Sequence, residues 1–143
     1  MSPRFNVAQP PRTCGRISSP NYFRDIILVM FKASPLLRDV FLFTIVALVV
    51  LPFWQNNLLV EVLLSLEFLL AAVFLYSKVE TRTFLIAGFF GASLEVVGGA
   101  FNIWKYTYPN LFTIPIWIFF CWGFTFLLFH SVYLSLTPLN NHH

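Results

Sequence analysis

Four apolar stretches, each about the length of a membrane-crossing helix, alternate with short polar breaks along this chain. They cover 35–53, 58–76, 83–101 and 114–136, and the breaks are Gln55-Asn56-Asn57, the Ser77–Arg82 loop and an aromatic-rich 102–110 connection. About 20 apolar residues cross the hydrocarbon layer of a bilayer, so each stretch predicts one transmembrane helix. Ser34-Pro35 is a fitting start for the first, because a proline at the first helical position gives up an N–H that has no partner there anyway. Arg38 and Asp39 are expected at headgroup level, with Trp54 anchoring the far interface. Pro115 fits the first turn of the fourth helix.

The flanks have a different pattern. Residues 1–19 are rich in Pro, Arg, Ser and Gly without apolar periodicity, which predicts a disordered basic tail. Residues 20–34 predict a short helix with Asn21 as its N-cap and Ser34-Pro35 as its stop. Six apolar residues flanked by Arg24, Asp25 and Lys32 cannot span, so this helix is expected to lie in the membrane interface. Residues 137–143 are a short polar tail. The chain is therefore assigned to the all-α class, as a polytopic helical membrane protein with four transmembrane helices in residues 35–136 and a short N-terminal interfacial helix.

Composition supports the assignment. Of 143 residues, 58% are hydrophobic and 10% charged, against about 25% charged in soluble domains. The lipid bilayer is thus the expected surrounding. Eight of the nine Lys/Arg fall in the tail, the first turns and the 77–82 loop, and Lys105 alone lies on the other side. By the positive-inside rule both termini face the cytoplasm, which in a bacterium means the cytoplasmic (inner) membrane. The basic N-terminus is expected to touch anionic headgroups, and no nucleic-acid footprint is present. Residues 1–24 hold four Arg and no acid, which an organellar transit peptide also shows, so an organellar membrane is the alternative. Cys14 and Cys121 are expected at different depths, and no motif calls for a metal or cofactor.

Candidate chemistry centres on acids within the spans. On a helix, Gly88, Gly91, Ala92, Glu95, Gly98 and Gly99 share one face, and small residues at this spacing let another backbone approach. The third helix is therefore expected at the centre of the bundle, with Glu95 turned inward. A carboxylate there costs about 2.5–3.5 kcal/mol, which favours the neutral acid as a hydrogen-bond donor. Two readings stay open for Glu95: hydrogen-bonding glue between helices, or an acid that gives up a proton. Glu67, near the middle of the second span, is the second candidate and the expected bundle-facing partner of Glu95. Glu61 lies off that face, toward a hydrated end. His130 shares a broad face with Trp122, Phe126, Phe129 and Tyr133, where it can bridge helices or meet a ligand.

From Glu95 the order Glu95-x-x-Gly98-Gly99, Trp104-Lys105-Tyr106-Thr107-Tyr108-Pro109, Ile114-Pro115-Ile116-Trp117 and Trp122-Gly123 resembles the motif region of membrane carotenoid-biosynthesis proteins of the hydratase type. In length the chain is nearer to heterodimeric lycopene cyclase subunits. It is also similar to small bacterial membrane proteins with a Trp-x-Tyr…Pro-x-Trp pattern. The family's Thr-Gly-x-Pro-Phe-Gly run is replaced here by Ala100–Ile103, and Trp104 stands where its first Tyr would be. The resemblance implies protonation of an isoprenoid alkene by Glu95 as general acid. Trp104, Tyr106, Trp117 and Trp122 would then stabilise the cation through their ring faces. Three functions follow as expectations: a packing or assembly bundle working with a second copy or a partner membrane subunit, an enzyme on a lipid-soluble isoprenoid, and a transporter or proton-pathway subunit using Glu67 and Glu95.

Overall fold

The computed structural model describes residues 29–31 and 34–137. The basic tail, most of the expected interfacial helix and the last six residues lie outside the described residues. Of the 20–34 segment, residues 29–31 are helical, and Phe31 lies against Phe41 with ring centroids 5.4 Å apart. Four long helices follow: α1 (Pro35–Phe53), α2 (Asn57–Phe74), α3 (Lys78–Ala100) and α4 (Ile118–Leu136). All four are long and apolar enough to cross a membrane. Among the described residues there is no strand, and the Leu111–Ile114 pair forms an isolated bridge.

Local chemistry sets the ends. Pro35 occupies the first turn of α1, as its fixed φ favours. Asn56 caps α2 by accepting from the Leu59 N–H at 3.2 Å, so a three-residue turn returns the chain. The expected loop at 77–82 is instead the first turn of α3. Ser77 and Glu80 form a reciprocal capping box, in which the Ser77 N–H donates to Glu80 Oε2 at 2.7 Å and the Glu80 N–H to Ser77 Oγ at 3.2 Å. Two otherwise orphaned donors are satisfied at once, which starts the helix five residues before the expected 83. At its other end Asn102 adopts φ 55°, the left-handed conformation. The Asn102 N–H donates to the Gly99 carbonyl and the Ile103 N–H to the Gly98 carbonyl, which closes a Schellman motif. α4 begins at Ile118 rather than 114, because residues 110–116 form their own turn, with the Asn110 side chain accepting from the Ile116 N–H at 2.8 Å.

Short turns make α1 and α2, and α2 and α3, antiparallel neighbours in sequence, while a longer connection, 101–117, leads from α3 to α4. The expected central element was α3. The structure gives that place to α4, whose backbone approaches α3 along its length, α1 next, and α2 at a few points. The reason is Gly123 on α4: a Cβ there would stand 2.6 Å from the Phe84 ring, so the glycine gives a fully buried Phe84 its seat. Phe84 also stacks on Phe68 of α2 at 4.2 Å and meets Phe124 edge-on at 4.9 Å, which joins three helices through one ring. Leu42, Val46, Val60, Leu64 and Leu127 belong to the same core. The outer surface is apolar. In α2 only Val60, Leu64 and Ala71 are buried, and Leu58 and Val73 are each 71% exposed.

Candidate functional site

Two polar clusters lie at opposite ends of the bundle. The first is built around Glu95, whose carboxylate accepts from the Tyr106 hydroxyl at 2.8 Å and from Trp122 Nε1 at 3.3 Å. Glu95 stands near the end of α3, Trp122 in the first turns of α4 and Tyr106 in the connection between them. Glycines allow this meeting. Trp122 lies across Gly91 and Trp104 across Gly98, so closely that a Cβ at either position would collide with the indole. Gly88 meets the Phe119 carbonyl, 2.7 Å from where its Cβ would be, and Gly99 meets Thr113 at 2.5 Å. The small-residue face therefore serves two partners. Gly88 and Gly91 receive α4, while Gly98 and Gly99 receive the connection, with Ala92 partly buried between them. Burial first, then the Glu95 hydrogen bond and charge, push the Tyr106 phenol up from its ordinary value, which keeps it a donor.

Among the sequence candidates, Tyr106 and Trp122 meet Glu95, and Trp104 lies about one turn further along α3, over Gly98. Trp117 does not meet it. It is nearly buried and donates from Nε1 to Asn57 Oδ1 at 3.0 Å, and Asn57 in turn donates to the Tyr108 carbonyl. Trp117 thereby ties the start of α2 to the connection. His130 is exposed on α4, two turns beyond Trp122, and takes no part in either cluster. Glu67 is not the partner of Glu95. Counting 1.5 Å per residue from the α2–α3 turn, the two acids differ in height by roughly 15 Å. Both Glu67 oxygens are enclosed and lack a hydrogen-bond partner among the described residues.

The second cluster is built around Arg38 and Asp39 and adds burial to what was expected of them. They are 3% and 2% exposed. Arg38 Nε donates to Asp39 Oδ1 at 2.8 Å and Nη2 to Asp39 Oδ2 at 3.3 Å; Nη2 also reaches Glu80 Oε1 at 2.6 Å, and Nη1 the Leu75 carbonyl at 3.2 Å. The Ser131 hydroxyl of α4 donates to Asp39 Oδ2 at 2.5 Å. The Arg38 guanidinium also lies over the Tyr76 ring, 4.7 Å from its centre. One ion pair thus joins α1, the α2–α3 turn, α3 and α4. Glu80 serves twice: one oxygen caps α3 and the other holds Arg38.

Two sequence signals could have found this cluster. Ser77-x-x-Glu80 is a capping-box pattern, and adjacent opposite charges within an apolar run tend to pair with each other in lipid. Among the described residues no group of three His, Cys, Asp or Glu could hold a metal ion. Comparison with protein-family models, curated proteins and solved structures finds no match.

Proposed function

We propose that the chain is an integral membrane protein, with both termini on the cytoplasmic side of a bacterial inner membrane, that acts as an assembly-type subunit. The observation carrying this reading is that Glu95, the leading candidate for chemistry, spends both oxygens on Tyr106 and Trp122. Its hydrogen bonds hold the 101–117 connection and α4 onto α3, as structural glue does. Outward-facing Phe89 and Phe90 on α3 and Leu69 and Val73 on α2 leave broad apolar surfaces for lipid or a partner helix. The basic asymmetry sets the orientation. The test is copy number after extraction in mild detergent, by native mass spectrometry. A complex with a second copy or another membrane subunit is expected, and a lone monomer at native expression would sink the assembly reading. Reporter fusions at residue 137 should report the cytoplasmic side.

A second reading has its own support. Glu95 accepts from the Trp122 indole, Trp104 lies about one turn away over Gly98, and an apolar cleft of about 350 Å³ opens beside Trp122 between Gly91 and Phe126. An isoprenoid entering this cleft from lipid would lie against the Trp122 ring, whose indole N–H holds Glu95 behind it. Lipid extracts from cells with and without the gene, compared by mass spectrometry, test it: a changed isoprenoid favours the enzyme.

A further inference from the structure

A different acid stands apart from both clusters. Between α1 and α2 lies a cleft of about 410 Å³, within the size range of small-molecule sites, lined by Phe41 and Ile45 on one side and Glu67, Leu70 and Phe74 on the other. Its wall is hydrocarbon, to which Glu67 contributes its stem, with the carboxyl lying just behind that wall. Both Glu67 oxygens are shut off from the surface and have no hydrogen-bond partner among the described residues. Leaving a buried polar group unsatisfied is costly, and groups in that state call for a specific explanation.

We infer that this cleft is a binding site for a lipid-soluble alcohol, a hydrocarbon molecule whose hydroxyl donates to Glu67. The lining demands an apolar occupant, and the acid demands one donor at its own depth. The Glu67 side chain has three rotatable bonds, so its carboxyl can turn toward a hydroxyl entering the cleft. The dimensions favour a small molecule over a partner helix. From Glu67 to Leu75 the cleft runs about 12 Å along α2, less than half of the ~30 Å over which a spanning helix would pack. The inference is independent of the assembly reading and of any role for Glu95.

The test uses the full chain in lipid nanodiscs and two photoactivatable probes. One is a straight-chain alcohol with an aryl diazirine at its far end, and the other is the same molecule without the hydroxyl. Labelled residues are mapped by mass spectrometry. The alcohol should label the 41–45 and 67–75 segments about tenfold more than the hydrocarbon does, the effect of roughly one hydrogen bond to a carboxyl group. Glu67→Leu should abolish the excess, and Glu67→Gln, which keeps an acceptor oxygen, should retain part of it. If Glu67→Leu fails to fold, the comparison of the two probes on the unaltered chain decides alone. Displacement by an unlabelled straight-chain alcohol, or instead by a branched isoprenoid alcohol, assigns the source, and either supports the site. Equal labelling by both probes overturns it. So does protection of the cleft from both probes by a co-purifying polypeptide, which would make it a helix interface.

Discussion

The two polar clusters handle the same difficulty, charge inside an apolar bundle, in opposite ways. At the end where α1 begins and α4 finishes, Arg38 and Asp39 neutralise each other within one turn of α1, and Glu80, Ser131 and the Leu75 carbonyl take up remaining donors and acceptors. At the other end Glu95 pairs with no cation among the described residues. It is held by a phenol and an indole, neutral donors on more exposed side chains. A buried ion pair is rigid because removing either partner strands the other charge. A carboxyl held by neutral donors loses less when one is removed. The first cluster therefore locks the helices together, and the second can rearrange at modest cost.

The largest effect expected from this contrast is at Asp39. Asp39→Ala leaves Arg38 buried with a single partly exposed acid, and should cost about 3–5 kcal/mol. Thermal unfolding in detergent measures it, against the smaller losses expected at the Glu95 end. A loss below about 1 kcal/mol, the range of exposed ion pairs, would show that the first cluster is hydrated and would remove the contrast.

Next comes the contact on which the Glu95 cluster depends. Gly88→Ala places a methyl against the Phe119 backbone carbonyl rather than a yielding side chain. α3 and α4 must then separate, at about 1–3 kcal/mol. Ile86→Leu, on a residue 69% exposed, should stay within about 0.5 kcal/mol. Folded yield and unfolding temperature should rank the two variants in that order. Equal values would mean that the close approach of α3 and α4 does not support the site.

How much of this was legible beforehand follows the same division. The α1 boundaries could be read directly, because an apolar run ended by Ser34-Pro35 and by a polar turn has few alternatives. The glycine face of α3 was also legible, since its spacing alone puts the small residues together. What Gly98 and Gly99 receive was not, because Trp104 and Thr113 return through an irregular connection that no periodicity describes. Glu95's partners were half visible: Tyr106 and Trp122 were among the candidates, while Trp117 and His130 looked equivalent by composition and lie elsewhere. That Arg38 and Asp39 are buried and paired with each other was not legible, because charges near a span end are usually solvated. The centre of the bundle was misassigned for a related reason: four glycines on α3 outweighed Gly123 on α4, although a glycine that seats a large ring decides packing as strongly as a row of them.

Glu95 itself gives a smaller, sharper test. Glu95→Gln keeps one acceptor oxygen and loses the other, so one of two accepted hydrogen bonds goes, at about 1 kcal/mol. Asp39→Asn, by contrast, removes the charge that Arg38 requires and should cost several times more. If the two amide variants unfold at the same temperature, the neutral-donor cluster is as rigid as the ion pair, and the proposed difference between the ends fails.

The smallest effect is a titration. Burial and the Glu95 contact raise the Tyr106 phenol above its ordinary value near 10. The sign follows from linkage: a group that holds its proton more tightly in the folded state adds stability below its unfolded value and loses it as pH rises through the folded one. Tyr106 should thus remain protonated, and keep donating to Glu95, through the pH range in which an exposed tyrosine ionises. Tyrosinate absorbance of the folded protein, with Tyr106→Phe as the subtraction, should show no Tyr106 ionisation near pH 10. Ionisation there would mean that water reaches the phenol freely, and the Glu95 end would then be a solvated surface pair rather than a cluster that organises the connection.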